Sequence, residues 1–427
     1  MTASVIGAGF AGCEAAYYLA QHGVTVTLYE QKPKRFSPAH RSADFCELVC
    51  SNSLKAARVN SASGLLKEEM RMLGSLTVPI AYQCSVPAGG ALAVDRQKFS
   101  ALVTAAIKEH KNITVIEGEL TQIPDDEIVI IATGPLTDGE FARSLKELTG
   151  EYLSFYDAAA PIVDIKTVDM DFAFAASRYE DDSDDYINCP MDKEEYERFY
   201  NEIINAKRAI LHDFDNIYEA CVPIEVLAHK GHDTMRFGPL KPVGLVNPKT
   251  GHRPWANLQL RRETAQGDLY NLVGFQTNLT FPEQKRVFSL IPALKNAEFE
   301  RYGVMHRNSF INSPALSNKD LSLKAHRNIF VAGQLSGVEG YMESAASGLM
   351  CAVNAYKKLC GQAPIILPTV TMLGGLFNYI TTPQKNFQPM GAAFGLVDEY
   401  EQKIRDKKER YAALAKRSLE YIKTLNI

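Results

Sequence analysis

Two cysteines lie in sequence surroundings that could support nucleophilic catalysis. Cys50 stands in the segment ELVCSNSL, beside a predicted polar turn, and Cys221 stands in YEACVPIE, where the charge of the chain changes sign. Turn N–H groups and polar neighbours favour a thiolate, which is the reactive form of cysteine and adds to electron-poor carbon atoms. The alternative for each of them, and the expectation for the remaining cysteines, is a small buried hydrophobic side chain.

A glycine-rich loop near the start of the sequence predicts a dinucleotide-binding site. Gly7, Gly9 and Gly12 form a G-x-G-x-x-G motif between a predicted strand at 3–6 and a predicted helix at 11–21. The first glycine allows a tight turn, the second lets the backbone approach a pyrophosphate, and the third lets the helix pack closely on the strand. The helix N-terminus then favours the anion. The predicted cofactor-binding residues of this loop are Gly7, Ala8, Gly9, Phe10, Ala11 and Gly12.

Glu30 supports the dinucleotide site, and a second glycine-rich loop, taken together with the first, favours FAD over NAD. Glu30 ends a second predicted strand, 23 residues after Gly7, where an acidic side chain accepts hydrogen bonds from ribose hydroxyls. FAD is longer than NAD, and a glycine-rich loop after a predicted strand at 328–332 opens a small-residue helix that could stabilise charge on a reduced flavin. Besides the first loop, the predicted cofactor-binding residues are Glu30, Gly134, Gly333, Gln334, Gly340, Tyr341, Ser344 and Ala345.

These elements predict an α/β protein with a discontinuous Rossmann-like FAD-binding domain and an inserted α+β domain. Its sheet takes strands from both ends of the chain, at 3–6, 24–28, 127–132 and 328–332. We predict that residues 1–165 and 312–427 form the FAD-binding domain and that residues 166–311 form the insert, which faces the substrate. A charged amphipathic helix at 398–423 is predicted to pack on the body of the protein through Tyr400, Ile404, Tyr411 and Leu414.

The composition is that of an ordinary globular protein. The chain has 427 residues, 46% of them apolar and 22% charged, with a net charge of −4; this excludes disordered and coiled-coil proteins and argues against nucleic-acid binding by bulk charge. Residues 164–219 hold 16 acidic and 6 basic side chains, whereas residues 221–308 hold 12 basic and 7 acidic ones. An RNA partner would therefore meet a local basic face, although scattered basic residues more often only solvate a surface.

Other classes of protein and site are not expected. The sequence has no C-x-x-C motif, which disfavours a disulfide reductase, and His229 and His232 lack nearby further ligands, so we expect no metal site. The first apolar stretch is interrupted by glycines, and no long uncharged apolar run occurs. We therefore expect no signal peptide, no membrane span and a cytoplasmic location.

Long segments of the sequence resemble the folate- and FAD-dependent tRNA uracil-5-methyltransferase family. They are GAGFAGCEAA, ELVCSNSLKA, YEACVPIEVLA, RFGPLKPVGL, LVGFQTNLTFPEQKRVF, RYGVMHRN and FVAGQLSGVEGYMESAASG. The resemblance implies an enzyme that makes 5-methyluridine at the T-loop uridine (position 54) of tRNA, with FAD, NADH or NADPH, and 5,10-methylenetetrahydrofolate. The alternatives are the same chemistry on a ribosomal RNA uridine and a generic FAD oxidoreductase.

The implied chemistry needs a thiol and a flavin in one place. A thiolate that adds to carbon 6 of uracil makes carbon 5 nucleophilic toward a one-carbon electrophile. Methylenetetrahydrofolate supplies carbon at the formaldehyde level, and a reduced flavin, recharged by NADH or NADPH, supplies two electrons. By matching motif the catalytic cysteines are Cys50 and Cys221. We predict that Cys221 attacks uracil and that Cys50, nearer the flavin, assists as a base or stabilises a methylene-flavin species; the opposite assignment stays open.

The folate and RNA sites have several candidate residues. The pterin ring is expected to stack on the flavin, with His306 or Tyr341 on its other side; the alternative for each is an ordinary packed side chain. Arg307, Arg261 and Arg286 are candidates for RNA phosphate or the glutamate tail of folate, against the alternative of surface arginines. The preference between NADH and NADPH, the oligomeric state and the RNA docking geometry are not predicted.

Overall fold

The computed structural model describes residues 1–150, 152–178, 184–209, 222–400, 402 and 404–425. Its strands are β1 (Thr2–Ile6), β2 (Thr25–Glu30), β3 (Ser53–Ala56), β4 (Ser85–Val86), β5 (Ala91–Val94), β6 (Ile113–Glu117), β7 (Val129–Ile131), β8 (Leu153–Ala158), β9 (Ile162–Asp164), β10 (Phe174–Ala175), β11 (Tyr186–Met191), β12 (Ala256–Arg262), β13 (Leu269–Leu272), β14 (Phe299–Arg301), β15 (Met305–Phe310) and β16 (Ile329–Val331). Its helices are α1 (Phe10–Gln21), α2 (Ala62–Met72), α3 (Thr77–Gln83), α4 (Arg96–Lys108), α5 (Gly139–Thr149), α6 (Lys193–Asn205), α7 (Ile224–Lys230), α8 (Thr234–Phe237), α9 (Phe281–Phe288), α10 (Ser313–Leu316), α11 (Tyr341–Leu359), α12 (Met372–Thr381) and α13 (Lys407–Lys423).

A parallel sheet of five strands carries the predicted nucleotide-binding fold. Its order is β16-β7-β1-β2-β6, and every neighbouring pair is parallel. The short apolar sequences of β7 (VII) and β16 (IFV) are fully buried, as strands covered on both faces must be. Because β16 comes from the far end of the chain, the sheet is discontinuous in sequence. The predicted α/β, Rossmann-like fold class is confirmed.

Glycines let α1 pack tightly against its neighbours. A Cβ atom on Gly12 would lie 1.7 Å from the carbonyl oxygen of Gly7, and one on Gly348, in α11, would lie 2.0 Å from that of Ala11. Neither position has room for a side chain, so α1 approaches both the loop before it and α11 more closely than other residues would permit. This packing fixes the start of α1 at the carboxyl ends of the parallel strands.

A second, six-stranded antiparallel sheet is built mainly from the middle of the chain. Its order is β10-β11-β12-β13-β9-β14, and it shares a separate hydrophobic core with α6, α7 and α9. β9, at 162–164, already belongs to this sheet, although the insert is predicted to begin at residue 166. The division into two domains at 165/166 and 311/312 stays a prediction.

The remaining described strands form two smaller sheets. β8 and β15 pair antiparallel, with Leu153 opposite Phe310 and Ala158 opposite Met305. β3, β5 and β4 form a three-stranded sheet, and β3 follows directly after the segment that contains Cys50. In chain order, the Cys50 segment therefore lies between β2 of the parallel sheet and β3 of this small sheet.

The C-terminal helix is shorter than the sequence pattern suggests. The prediction places its start at residue 398, but α13 begins at Lys407 because the side chain of Asp406 accepts a hydrogen bond from the N–H of Glu409 at 2.8 Å. Such a cap satisfies an N–H group that has no partner within the helix. Leu414 is buried as predicted, whereas Tyr400 lies before the helix and is exposed.

Candidate active site

A cavity of about 410 Å³ lies at the edge where the carboxyl ends of the parallel strands meet. Parallel strands bring their carboxyl ends to one edge, so loops far apart in sequence converge there. The predicted cofactor-binding residues that line this cavity are Gly7, Ala8, Gly9, Phe10, Ala11, Glu30, Gly134, Gly333, Gln334, Gly340, Tyr341 and Ser344. Gly12 and Ala345 are not among the lining residues; the first packs α1 on its loop, and the second is buried in the core.

The first glycine loop has the shape and polarity of a diphosphate site. Gly9 is the N-cap of α1, no side chain caps this end of the helix, and a Cβ atom on Gly9 would meet no heavy atom within 4 Å. Glu30 accepts hydrogen bonds from the N–H groups of Ala8 at 2.7 Å and Lys32 at 2.9 Å, which hold its carboxylate beside the loop. Free helix N–H groups beside open space favour an anion, so these residues fit a dinucleotide.

The second glycine loop lies across the same cavity. Gly340 is the N-cap of α11, and again no side chain caps the helix. The N–H of Gly333 donates to Ser347 Oγ at 2.7 Å, and Gln334 Nε2 donates to Glu339 Oε2 at 2.9 Å. These contacts fix the loop before α11 and direct a second helix N-terminus toward the cavity, as a cofactor of the length of FAD requires.

Cys50 lies in the wall of this cavity and contacts Tyr341. The Cys50 Sγ atom is 3.2 Å from Tyr341 Oη, and the Cys50 N–H donates to the same oxygen at 2.9 Å. The Tyr341 ring stacks on Phe10, with 4.9 Å between ring centroids. Burial raises the pKa of Tyr341 well above its ordinary value, and Cys50 raises it further. Tyr341 therefore stays a neutral phenol beside the thiol.

Arg261 holds the Cys50 segment against the six-stranded sheet. From β12 it donates to Ser51 Oγ at 2.7 Å and to Asn52 Oδ1 at 3.1 Å. The Asn52 side chain donates in turn to the carbonyl oxygen of Arg262 at 2.8 Å. Burial lowers the pKa of Arg261. This arginine is therefore a buried contact of the cysteine loop and not a surface arginine.

Arg96 and Glu263 form a buried ion pair next to Cys50, and sequence reasoning missed both. Their side chains lie 2.7 Å apart, and Arg96 also donates to the carbonyl oxygen of Leu48 at 2.6 Å. Burial lowers the pKa of Arg96, but Glu263, Tyr341 and Cys50 together raise it by more, so the arginine stays charged. The positive charge lies within electrostatic range of Cys50, where it favours the thiolate. No sequence pattern marks this pair, because its members lie 167 positions apart.

His306 lines the cavity from β15, and its Nε2 atom is buried without a hydrogen-bond partner among the described residues. Burial lowers the pKa of His306, and Arg301 lowers it further, so the imidazole is neutral at pH 7. His40 lines the cavity as well, and burial lowers its pKa to about 4, with Lys32 adding to the effect. The sequence analysis did not single out His40 or Arg301. Arg301 is the first residue of the segment RYGVMHRN, whose family resemblance could have drawn attention to it.

Two other predicted residues lie outside this cluster. Arg307 is exposed on β15 and donates to Ser154 Oγ at 3.1 Å. Arg286, on α9, does not line the cavity and pairs on the surface with Glu202 and Glu283. Cys221 falls outside the described residues, so its predicted role stays a prediction.

The described residues contain neither a membrane-spanning helix nor a cluster of side chains suited to a metal ion. Within residues 1–150, 152–178, 184–209, 222–400, 402 and 404–425, no helix has both the length and the apolar character needed to cross a membrane. Over the same ranges, no group of three or more His, Cys, Asp or Glu side chains is arranged to hold a metal ion.

The fold is shared with proteins of known structure. Two crystal forms of Aquifex aeolicus GidA superpose on the chain with TM-scores of 0.70 and 0.71, covering 100% and 99% of this chain and 74% and 75% of those chains. Both are 15% identical in sequence, a level that shows a common fold alone. The family model described as "Glucose inhibited division protein A" matches residues 2–363.

Curated relatives are much more similar in sequence. A protein of Acetivibrio thermocellus is 54% identical over 424 residues, which is 98% of this chain and 97% of the relative. One of Caldicellulosiruptor bescii is 53% identical over 426 residues, 99% of this chain and 98% of the relative. Both have the name methylenetetrahydrofolate–tRNA-(uracil-5-)-methyltransferase TrmFO. By this full-length similarity the chain belongs to the TrmFO family of methyltransferases.

Proposed function

We propose that this chain methylates carbon 5 of the T-loop uridine, position 54, of tRNA, with methylenetetrahydrofolate as carbon donor and FAD and NADH or NADPH as electron carriers. The observation that carries the proposal is the position of the Cys50 thiol, which opens into the same cavity as two uncapped helix N-termini. Family membership supports the reaction, because the named relatives are folate-dependent uracil-5 methyltransferases acting on tRNA.

The first part of the proposal is that FAD occupies the cavity. The open space at Gly9 and the start of α1 would hold the diphosphate, Glu30 would accept hydrogen bonds from a ribose, and the loop from Gly333 to Gly340 would hold the flavin end. When bound, a reduced flavin supplies the two electrons that convert a methylene carbon into a methyl group.

The second part concerns the thiols. A cysteine thiolate adds to carbon 6 of uracil, and the electron pair that moves to carbon 5 allows that atom to attack the one-carbon unit. Cys221 has this role in our proposal, and Cys50 acts as the base that removes the proton from carbon 5. As that proton is lost, the bond between the transferred carbon and its carrier nitrogen breaks; after the two-electron reduction of that carbon, the Cys221 thiolate leaves carbon 6. Arg96 and Tyr341 support a Cys50 thiolate, by positive charge and by a hydrogen bond respectively.

The third part is the folate site. The neutral His306 ring lines the cavity, so a pterin that stacks on a flavin could be covered by it on its other face. The ring of Tyr341 is a weaker candidate, because it already stacks on Phe10 and its hydroxyl group contacts Cys50.

The test is a methylation assay with defined RNA. Purified protein is incubated with FAD, NADPH or NADH, methylenetetrahydrofolate and an unmodified tRNA transcript, and the digested nucleosides are analysed by mass spectrometry. We expect 5-methyluridine from the transcript and none from a transcript with cytidine at position 54. Methylation of ribosomal RNA alone would contradict the tRNA assignment, and no 5-methyluridine on any RNA would contradict the proposal.

The two cysteines are distinguished by covalent trapping. An RNA with 5-fluorouridine at the target position should form a covalent complex with the parent protein and with a Cys50→Ser variant, but not with Cys221→Ser. The exposed Cys360 supplies the matched control, since Cys360→Ser should trap RNA like the parent. Trapping by Cys221→Ser with loss of trapping in Cys50→Ser would reverse the assignment. NADPH oxidation without RNA that is insensitive to both substitutions would indicate a small-molecule oxidoreductase.

A further inference from the structure

Two side chains beside the candidate active site, those of Arg301 and His306, each have a buried nitrogen atom without a hydrogen-bond partner among the described residues. Arg301 ends β14, and its Nε atom is buried without a hydrogen-bond partner. Over the described ranges, its side chain has neither an ion pair nor a hydrogen bond. His306 also has a buried ring nitrogen without a partner there. A buried polar group that is left unsatisfied is unfavourable, so such groups commonly mark a place where a ligand or water completes the contacts.

The backbone between these two residues is fixed. Gln284 accepts from the N–H of Gly303 and donates to its carbonyl oxygen, both at 2.8 Å. A Cβ atom on Gly303 would lie 2.6 Å from the carbonyl oxygen of Ala159. The connection from β14 to β15 is therefore held on both sides, and the positions of Arg301 and His306 are set by the fold before any ligand arrives.

The charges that face Arg301 are mostly of its own sign. Burial lowers the pKa of Arg301, and Arg96 and Arg41 lower it further. Arg96 already has Glu263 as its partner. The nearby carboxylate of Glu47 accepts from the N–H of Arg41 at 2.9 Å and lies 3.7 Å from Lys32 Nζ. The local surplus of positive charge is thus not neutralised by the described residues.

We propose that Arg301, with Arg41 and His306, forms a subsite for an anionic oxygen group of a substrate that enters the cavity. A guanidinium group presents paired N–H donors that match a phosphate or a carboxylate. The inference rests on the proposed function, under which two substrates bear such groups: the phosphates of RNA and the glutamate carboxylates of folate. Under this proposal the anion-binding arginine is Arg301, whereas the sequence analysis named Arg286.

Binding measurements on the FAD-loaded protein test this subsite. The variants are Arg301→Gln, which removes the charge, Arg301→Lys, which keeps it without the planar donor pair, and Arg71→Gln, a matched loss of one exposed arginine that pairs with Glu68. The probes are a tRNA transcript at several salt concentrations, tetrahydrofolate, and a tetrahydropterin that lacks the glutamate tail. Thermal unfolding of each variant is measured in parallel.

Each source of the anion has its own signature. If the anion is an RNA phosphate, Arg301→Gln weakens tRNA binding about tenfold or more and lowers the slope of log Kd against log salt by roughly 0.7 to 0.9. If the anion is a folate carboxylate, Arg301→Gln weakens the binding of tetrahydrofolate by a similar factor and leaves the binding of the tail-less pterin unchanged. In either case Arg301→Lys has an affinity between those of the parent and Arg301→Gln, and Arg71→Gln binds like the parent. The unfolding midpoint of Arg301→Gln is not lowered.

Two results would overturn the subsite. One is unchanged binding of all three probes to Arg301→Gln; the other is a lowered unfolding midpoint with equal weakening of every probe, which would make Arg301 a structural residue. Failure of the proposed function is a separate outcome, since a parent protein that makes no 5-methyluridine could still bind a probe in an Arg301-dependent way.

Discussion

The contact between Cys50 and Tyr341 controls where a proton lies. The Tyr341 oxygen accepts the Cys50 N–H at 2.9 Å, so its own hydrogen is available to the sulfur atom at 3.2 Å. Because burial keeps Tyr341 a neutral phenol, it can donate to a thiolate but does not deprotonate the thiol. Tyr341 therefore stabilises the charged form of Cys50 and positions its side chain.

Replacing Tyr341 by phenylalanine should slow methylation. The variant keeps the ring that stacks on Phe10 but loses a hydrogen bond to a charged group, which corresponds to about a ten- to hundredfold lower rate. Alkylation of Cys50 followed against pH should shift to higher pH, since the thiolate is less favoured. Tyr379→Phe, which removes a hydroxyl bonded to the Gln388 carbonyl, is the control. An unshifted alkylation profile in Tyr341→Phe would show that the phenol does not act on the thiol.

Elements position the site through their ends. Four parallel strands deliver Gly7, Glu30, Gly134 and Gly333 to one edge, and α1 and α11 begin there with uncapped N-termini. An uncapped helix start leaves N–H groups for a ligand. Other helices begin with a side-chain cap, such as α4, where the side chain of Asp95 accepts from the N–H of Lys98.

The glycines of the first loop should respond differently to substitution. Gly9 has extended backbone angles and open space around its position, so Gly9→Val should leave the apoprotein within about 0.5 kcal/mol of the parent but abolish flavin retention. Gly12→Ala should impair folding, because its methyl group would lie 1.7 Å from the Gly7 oxygen. Absorbance at flavin wavelengths and urea unfolding measure the two effects. Full flavin content in Gly9→Val would contradict the predicted diphosphate site.

One buried carboxylate joins three helices. Glu69, on α2, accepts from the first N–H groups of α12, at Met372 and Leu373, both at 2.8 Å, and from the hydroxyl of Ser418 on α13. Burial raises the pKa of Glu69 to about 7, although these hydrogen bonds oppose the rise. Because the pKa is raised on folding, the contribution of Glu69 to stability is largest below about pH 4.5 and is lost as the pH rises through 7.

A pH series tests this contribution. From pH 5 to pH 8 the parent should lose roughly 2 to 3 kcal/mol of unfolding free energy through Glu69. Glu69→Gln cannot titrate, so its unfolding free energy, measured in urea, should lack that part of the pH dependence. Glu420→Gln, an exposed change on α13, should follow the parent. Parallel curves for the parent and Glu69→Gln would contradict the raised pKa.

At the scale of the whole molecule, the cysteine loop lies where two sheets meet. Arg96, from the part of the chain with the parallel sheet, pairs with Glu263 at the end of β12, while Arg261 reaches the loop from the other side. Removing one partner of a buried ion pair is strongly destabilising, because the other charge is left buried and unpaired. The union of the two sheets and the environment of the thiol thus depend on the same residues.

Breaking this pair should cost stability at the junction. Glu263→Gln leaves the Arg96 charge buried and is expected to lower the unfolding free energy by about 3 to 5 kcal/mol. Glu283→Gln, which breaks a surface pair with Arg286, should cost under about 1 kcal/mol. Urea unfolding provides the comparison. Equal costs for the two variants would show that the buried pair does not hold the sheets together.

Local patterns predicted the strands, helices and glycine loops that surround one part of the cavity. The loop from Gly7 to Gly12, the strand ending at Glu30 and the helix that starts at Tyr341 depend on glycine spacing and apolar periodicity, which act over a few tens of residues. The same reasoning misplaced the start of the last helix, because an alternating charge pattern does not show which residue caps it. It also named Arg286 and not Arg301 as an anion-binding candidate, since both are arginines in a basic stretch and the sequence does not show which of them is buried.

The sequence by itself determined the fold class, the glycine loops and the candidate thiols, because each is encoded by neighbouring residues. Only the tertiary structure decided that Cys50 touches Tyr341, 291 positions away, and that Arg96 and Arg261 lie near the thiol. Such contacts form where parallel strand ends and the antiparallel sheet converge. No local pattern reports them, because the electrostatics of a buried charge depend on what surrounds it in space.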